Sequence, residues 1–344
     1  MKFARTVATA ITTATLLTGA THAESLRVMG QPVATGLIQK NVEQPFFENF
    51  AEETGLDLTA DYQPVDVTGI KDTEQLRILK DGLFDIVSLR LSQVSRDEPT
   101  ILGLDLVGLN PDYETGKITV EKFAPVVDAA LQEKFNTKLL GVWPFGPQVL
   151  FCKPEIASLS DLKGLKVRVY DQNLANFISL VGGTPVPLSF PEVQQSLARG
   201  VVDCAITGPS SANSAGWPEV TAYMLPIAFQ LAMNGYGINL DTWNGMTAEE
   251  QEKLQAAFDG LIADIWSYSE ELFVDAVSCN TGGETCETGT KYTNILVEPS
   301  DADVALIGTA VTEVSFPAWK DACDAVNEGC SAKWLETVGN AYDF

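Results

Sequence analysis

Apolar positions along this chain switch repeatedly between the two spacings that mark strands and helices. Residues 25–30 (Ser-Leu-Arg-Val-Met-Gly) predict a first strand. Pro45 opens a helix in which Phe46, Phe47, Phe50 and Ala51 recur at helical spacing, and Gly55 ends it. Leu56 to Val65 alternates as a second strand. Asp72 or Thr73 caps a helix through Lys80, Gly82 stops it, and Phe84 to Leu89 is a buried strand. This β-α-β-α-β order predicts a parallel sheet with helices covering its faces.

A similar unit returns later in the chain. Leu165 to Val169 predicts a strand, followed by a helix over about 174–180 and a Gly182-Gly183 turn. Ser189 and Glu192 form a capping box with Pro191 in the first turn. That helix runs to about Arg199, Gly200 terminates it, and Val201 to Ile206 is a strand. Leu79-Lys80-Asp81-Gly82-Leu83-Phe84-Asp85 and Leu197-Ala198-Arg199-Gly200-Val201-Val202-Asp203 share one pattern, helix end into strand start. Thr247 and Glu250 make a second capping box. From Leu254 through Phe258, Ile265 and Leu272 to Ala276, one apolar face then persists over about 30 residues, roughly 45 Å of helix. A helix that long exceeds the width of one lobe and is expected to brace two. The fold class read here is α/β, two-lobed, with an open mixed α/β sheet in each lobe and the long helix across both. Lobe I takes 24–148 and 236–277, lobe II takes 149–235, the inter-lobe helix is 247–277, and 278–344 packs on both lobes.

Composition narrows the chemistry. The 344 residues include 22 Lys+Arg, 46 Asp+Glu and one histidine, with a formal net charge of −24. Residues 1–23 read as a secretory signal peptide: Lys2 and Arg5, an apolar stretch from Val7 to Leu17, then Thr21-His22-Ala23 as a cleavage site. Cleavage there removes two basic residues and the single histidine. Ser-His-Asp and Cys-His nucleophiles and His-ligated metal sites are then excluded, so no metal site, cofactor or catalytic residue is assigned. An acidic chain is a poor partner for nucleic acid. No later run is long and apolar enough to span a membrane. The expected product is an exported, periplasmic protein, a monomer in solution.

The six cysteines suit that destination. Cys279 with Cys286 and Cys323 with Cys330 can each close a small loop, and Cys152 and Cys204, both in apolar strand-like runs, can pair across a sheet. All-thiolate metal binding is the alternative, although the spacing is not C-x-x-C.

Two open α/β lobes place a ligand beyond the carboxyl ends of their strands. One such end holds Arg90, another Thr207-Gly208-Pro209-Ser210-Ser211, and Arg168 lies within the apolar strand Leu165-Lys166-Val167-Arg168-Val169. A guanidinium there needs an anionic partner, and its planar fork suits a carboxylate. That partner is either an internal acid or a ligand. Arg90 is either a solvated loop residue or part of the cleft. Trp143, Phe145 and Phe190 are read as aromatic cleft walls, with hinge core as the alternative. Ser210, Ser211, Asn213 and Gln31 stand at strand ends where they either bond a ligand or cap turns.

Asp161-Leu162-Lys163-Gly164-Leu165-Lys166-Val167-Arg168-Val169, then Gly183-Thr184-Pro185-Val186-Pro187, Glu192 and the segment 197–203, resemble the substrate-binding proteins of TRAP transporters, the DctP-like family. Trp243 and Met246-Thr247 before the long helix also fit. The resemblance implies a two-lobed fold of the periplasmic-binding-protein type that closes over an organic acid and delivers it to TRAP permease membrane subunits. It implies that Arg168 pairs with the substrate carboxylate, assisted by Thr207; Gly208 beside it is a further candidate. Many members carry a second arginine on the strand ahead of the DLKG segment, where this chain has Gln148, so Arg90 could act instead from the other lobe. The aromatic walls suggest an aromatic or hydrophobic monocarboxylate. Alternatives are a binding protein of an ABC importer or sensor system and, with less support, a secreted hydrolase using paired carboxylates.

Overall fold

The computed structural model describes residues 24–33 and 36–342; the leader expected at 1–23 lies outside them. One five-stranded sheet contains β1 (Glu24–Gly30), β2 (Leu58–Pro64), β3 (Ile86–Leu89), β4 (Thr137–Pro144) and, from much later in the chain, a strand spanning Met233–Asn239. The second sheet has six strands: β5 (Val149–Cys152), β6 (Lys166–Val169), β7 (Thr184–Pro187), β8 (Cys204–Thr207), β9 (Tyr223–Leu225) and, after β10 (Met233–Asn239) has returned to the first sheet, β11 (Ile295–Leu296). Strand orders are β2-β1-β3-β10-β4 in lobe I and β11-β9-β5-β8-β6-β7 in lobe II.

The β-α-β-α-β reading gives the parallel β2-β1-β3 core of lobe I, and the second unit gives the parallel β8-β6-β7 core of lobe II. The shared heptapeptide has the same job in both lobes. Gly82 and Gly200 take left-handed φ values of 67° and 72°, turning each helix into its strand. The aspartate that follows closes the neighbouring ladder. Asp85 accepts from Arg27 N at 2.8 Å, and Asp203 accepts from Lys166 N at 2.8 Å. The backbone N–H of each aspartate returns a bond to the carbonyl of the same residue, also at 2.8 Å.

Several expectations shift in detail. The helix at Pro45 is two short segments, Gln44–Glu48 and Phe50–Thr54, because Asn49 leaves helical geometry at φ −108°. The helix after Asp72 starts at Gln75, behind a tight turn over Asp72–Glu74. No element is read from 113–135, where the structure has a 23-residue helix, Tyr113–Phe135, with Pro125 inside it. Residues 184–187, read as part of a motif, are the edge strand β7. Residues 233–235, assigned to lobe II by sequence, belong to lobe I because β10 fills the antiparallel slot between β3 and β4.

The long helix is Ala248–Thr281, capped by the Thr247–Glu250 box, and about 51 Å long at 1.5 Å per residue. Its Leu254, Phe258, Leu261 and Ile265 pack into the lobe I core, while Phe273 and Val277 pack against a lobe II cluster. The C-terminal segment also touches both lobes: β11 extends the lobe II sheet, and Trp319 and Trp334 are buried in lobe I. All three cysteine pairings are those expected, with Cys152 and Cys204 facing each other in the β5–β8 register. Among the described residues, no helix is long and apolar enough to cross a membrane.

Candidate functional site

The lobes are joined where the segment after β4 runs beside the segment before β10. Phe145 N donates to Ala232 O (3.2 Å), Gly146 N to Leu231 O (3.0 Å) and Gln148 N to Gln230 O (2.8 Å). Gly146 sits at φ +104°, and a Cβ there would lie 2.5 Å from the Tyr113 hydroxyl, so the crossing requires glycine. Beneath the crossing, Asp105 of lobe I accepts from Leu231 N (3.0 Å) and Met233 N (3.3 Å). Gln230 ties Asp105 O (2.6 Å) to the Asp171 carboxylate (3.1 Å) of lobe II. Burial pushes both aspartates up to about 6, against the hydrogen bonds they accept.

Beside this crossing lies a cleft of about 600 Å³, its mouth included. Lobe I contributes Asp72, Arg90, Ser92, Gln93 and Phe145, together with Ala232, Met233 and Asn234 from the start of β10. Lobe II contributes Gln148, Arg168, Tyr170, Ser189, Phe190, Thr207 and Ser211. Of the residues singled out by sequence, Arg168, Arg90, Phe145, Gln148, Thr207, Phe190 and Ser211 therefore come together on one cleft.

Arg168 is only 3% exposed, yet no described carboxylate lies within ion-pair distance of it. Its strand fixes it between β7 and β8. Nε donates to Leu188 O (3.1 Å), just past β7, and Nη1 to Ile206 O (2.9 Å), within β8. The guanidinium carbon lies 5.5 Å from the Tyr170 ring and 5.7 Å from the Trp217 ring, between two aromatic faces. Carbonyls and rings position the group without cancelling its charge. Nη2 has no hydrogen-bond partner among the described residues. Burial, reinforced by the charge of Arg90, lowers this arginine from its ordinary value to about 10, while Tyr170 and Asp171 oppose the fall. The internal-acid alternative is thus not what the fold adopts.

Arg90 faces Arg168 from the other lobe. Its Nη1 donates to Asp72 Oδ2 at 2.9 Å, its backbone N–H is held by Gln75 Oε1, and its guanidinium lies 5.6 Å from the Phe145 ring. Phe190 stacks on Trp217 at 5.3 Å, extending the aromatic wall behind Arg168. Gln148, on the strand position where a second arginine was sought, is 3% exposed, and its Nε2 donates to Gly146 O.

The other candidates lie elsewhere. Trp143 is fully buried in the lobe I core against Tyr236, so Phe145 alone of that pair reaches the cleft. Gln31 is also fully buried: its amide donates to Ser88 O (2.9 Å) and its N–H to Glu43, tying β1 to β3. Asn213 bonds Asn280 Oδ1 (2.8 Å) and Thr290 O (2.7 Å), fastening the helix Pro209–Ser214 to the long helix. Ser210 lines a separate hollow with Leu37 and Asp275. Gly208 adjoins the cleft through Gln148, whose amide nitrogen would sit 3.2 Å from an added Cβ. Asp72 and Tyr170 are cleft residues that sequence reasoning passed over. Asp72 was read only as a helix cap, and Tyr170 is the residue immediately after β6, a strand-end position that the rule for open sheets selects.

Two α/β lobes, a two-strand crossing between them and a cation at the base of their cleft define a ligand-enclosing binding protein. The chain belongs to the DctP family, the bacterial extracellular solute-binding proteins of family 7, whose sequence profile matches residues 35–275. The family is one of solute receptors rather than enzymes. Over 206 residues the chain is 27% identical to the sialic acid-binding periplasmic protein SiaP of Vibrio cholerae, covering 59% of this chain and 63% of that one. The match thus spans less than two thirds of that relative's length. In fold, the chain is similar to a Bordetella pertussis extracytoplasmic solute receptor binding pyroglutamic acid (TM-score 0.78, 18% identity, 92% of this chain and 100% of that one). It is equally similar to a TRAP periplasmic solute-binding protein from Desulfovibrio desulfuricans with bound sn-glycerol-3-phosphate (TM-score 0.79, 19% identity, 93% and 97%).

Proposed function

We propose that this chain is the extracytoplasmic solute receptor of a TRAP transporter, working in the periplasm and delivering an organic acid to the permease. The observation that carries this reading is Arg168: a buried cation aimed into an inter-lobe cleft, held by neutral groups and with no carboxylate of the described residues in ion-pair range. A carboxylate placed on its free edge restores the electrostatic balance that burial removes. Lobe closure lets Arg90, Gln93 and Asn234 reach the same ligand from the opposite side.

The ligand proposed is a compact monocarboxylate with a flat body. Phe145 and Phe190 offer ring faces from opposite lobes, and Trp217 backs the second. The rest of the lining is mostly hydroxyl and amide, including Ser92, Gln93, Thr207 and Asn234, so a flat acid with a polar edge fits better than a pure hydrocarbon body. A thermal-shift panel of benzoate, pyroglutamate, orotate, glucuronate and sialic acid tests this. A ligand at a hundredfold excess over its Kd adds about 2.7 kcal/mol to stability. The flat acids are expected to raise the melting temperature; stabilisation only by the polyhydroxylated acids would overturn the ligand assignment, and stabilisation by none would overturn the receptor reading.

A further inference from the structure

We propose that Asp72 sets the charge selectivity of the cleft, making it a receptor for singly charged acids and a poor one for dicarboxylates; this rests on the carboxylate-receptor reading above. Among the described ion pairs, Asp72–Arg90 is the one whose two members both line the cleft. Its geometry is fixed from both ends. Asp72 begins the tight turn Asp72–Glu74, and Arg90 stands at the start of the helix Leu91–Val94 with its backbone bonded to Gln75, just beyond that turn. The Asp72 and Arg90 side chains are 28% and 14% exposed, so the pair is partly shielded from water yet open to the cleft.

The lining therefore contains two guanidiniums and one carboxylate, a surplus of one positive charge. Asp72 occupies the place on Arg90 that a ligand's second carboxylate would take. A monoanion on Arg168 brings the lining to neutrality. A dianion must either displace Asp72 from Arg90 or lie beside it as a like charge, within a chain of net charge −24. The remaining lining groups are neutral, and Asp171, the acid that acts on Arg168, is not part of the lining and already accepts a hydrogen bond from Gln230.

Calorimetric titration of the wild type, Asp72→Asn and Asp72→Glu against matched pairs, benzoate with phthalate and butyrate with succinate, tests this. The wild type is expected to bind the monoacid of a pair more tightly. Asp72→Asn should shift the monoacid-to-diacid affinity ratio toward the diacid by about tenfold or more, the effect of removing one like charge at close range. Asp72→Glu should keep the wild-type preference, and the apo melting temperatures should stay close together. An unchanged ratio in Asp72→Asn, with monoacid binding intact, would overturn the proposal and leave the receptor reading standing. So would a wild type that prefers diacids. A wild type that binds none of the four acids would overturn this proposal, and only failure with every acid of the thermal-shift panel as well would overturn the receptor reading.

Discussion

Replacing Arg168 by methionine separates binding from folding. In the apo protein the guanidinium is buried at 3% exposure with two neutral hydrogen bonds and no counter-ion among the described residues, and burial lowers it by more than two pH units to about 10. At about 1.4 kcal/mol per pH unit, that is on the order of 3 kcal/mol. A bound carboxylate recovers it, which amounts to roughly two orders of magnitude in Kd. Methionine keeps the apolar stem between Tyr170 and Trp217, loses the bonds to Leu188 O and Ile206 O, and relieves the buried charge. Each lost neutral hydrogen bond costs about 1 kcal/mol. The two effects offset, so apo Arg168→Met should melt within a few degrees of wild type while Kd for the best-binding acid rises about a hundredfold or more. Arg168→Lys should fall between, because a point charge lacks the second donor of the fork. Calorimetry and thermal melts on the same preparations check both. A variant that binds within threefold of wild type, or one whose apo form fails to fold while the lysine variant binds normally, would refute the reasoning.

Two other predictions follow from the frame around the site. Serine at Cys152 and Cys204 opens a cross-link between β5 and β8 that spans 52 residues, and unfolding in urea should show a loss of about 4 kcal/mol; a change under 1 kcal/mol would show that the two strands do not need the bridge. Asp171 binds its proton more readily when folded, at about 6 against an ordinary 3.8. Its contribution to stability is therefore greatest below about pH 4 and is lost as pH rises through 6. Asp171→Asn keeps the cap on Leu174 N and removes the titration, so the stability difference between variant and wild type should move by up to about 3 kcal/mol in the variant's favour between pH 4 and 7. Parallel stability curves across that window would contradict the assignment.

The parts of the fold legible in the sequence were those set by local rules. The glycine-terminated helices, the boxes at Ser189 and Thr247 and the parallel cores of both lobes follow from spacing and capping chemistry over a few residues. Arg168 was legible because a cation in an apolar strand is costly wherever the strand ends up. The less legible features depend on distant partners. β10 joins lobe I from residues 233–239, after the whole of the lobe II sheet core has intervened in the sequence, a pairing no local pattern reveals. Trp143 lies within β4 and Phe145 just past its end, in the crossing, so two residues that look equivalent in sequence separate into core and cleft. Gln31 is buried by Glu43 and Ser88, and Asn213 by Asn280 and Thr290, contacts that exist only once the lobes and the long helix are assembled. Asp72 has two roles, beginning a turn and neutralising Arg90, and only the first is local.

The most direct test is a crystal structure of the protein with the acid that stabilises it best. The account predicts a carboxylate oxygen within about 3.2 Å of a terminal nitrogen of Arg168, with Phe145 and Phe190 closed over the rest of the molecule. An acid bound away from that guanidinium, or Arg168 swung onto a protein aspartate or glutamate in the closed form, would contradict it.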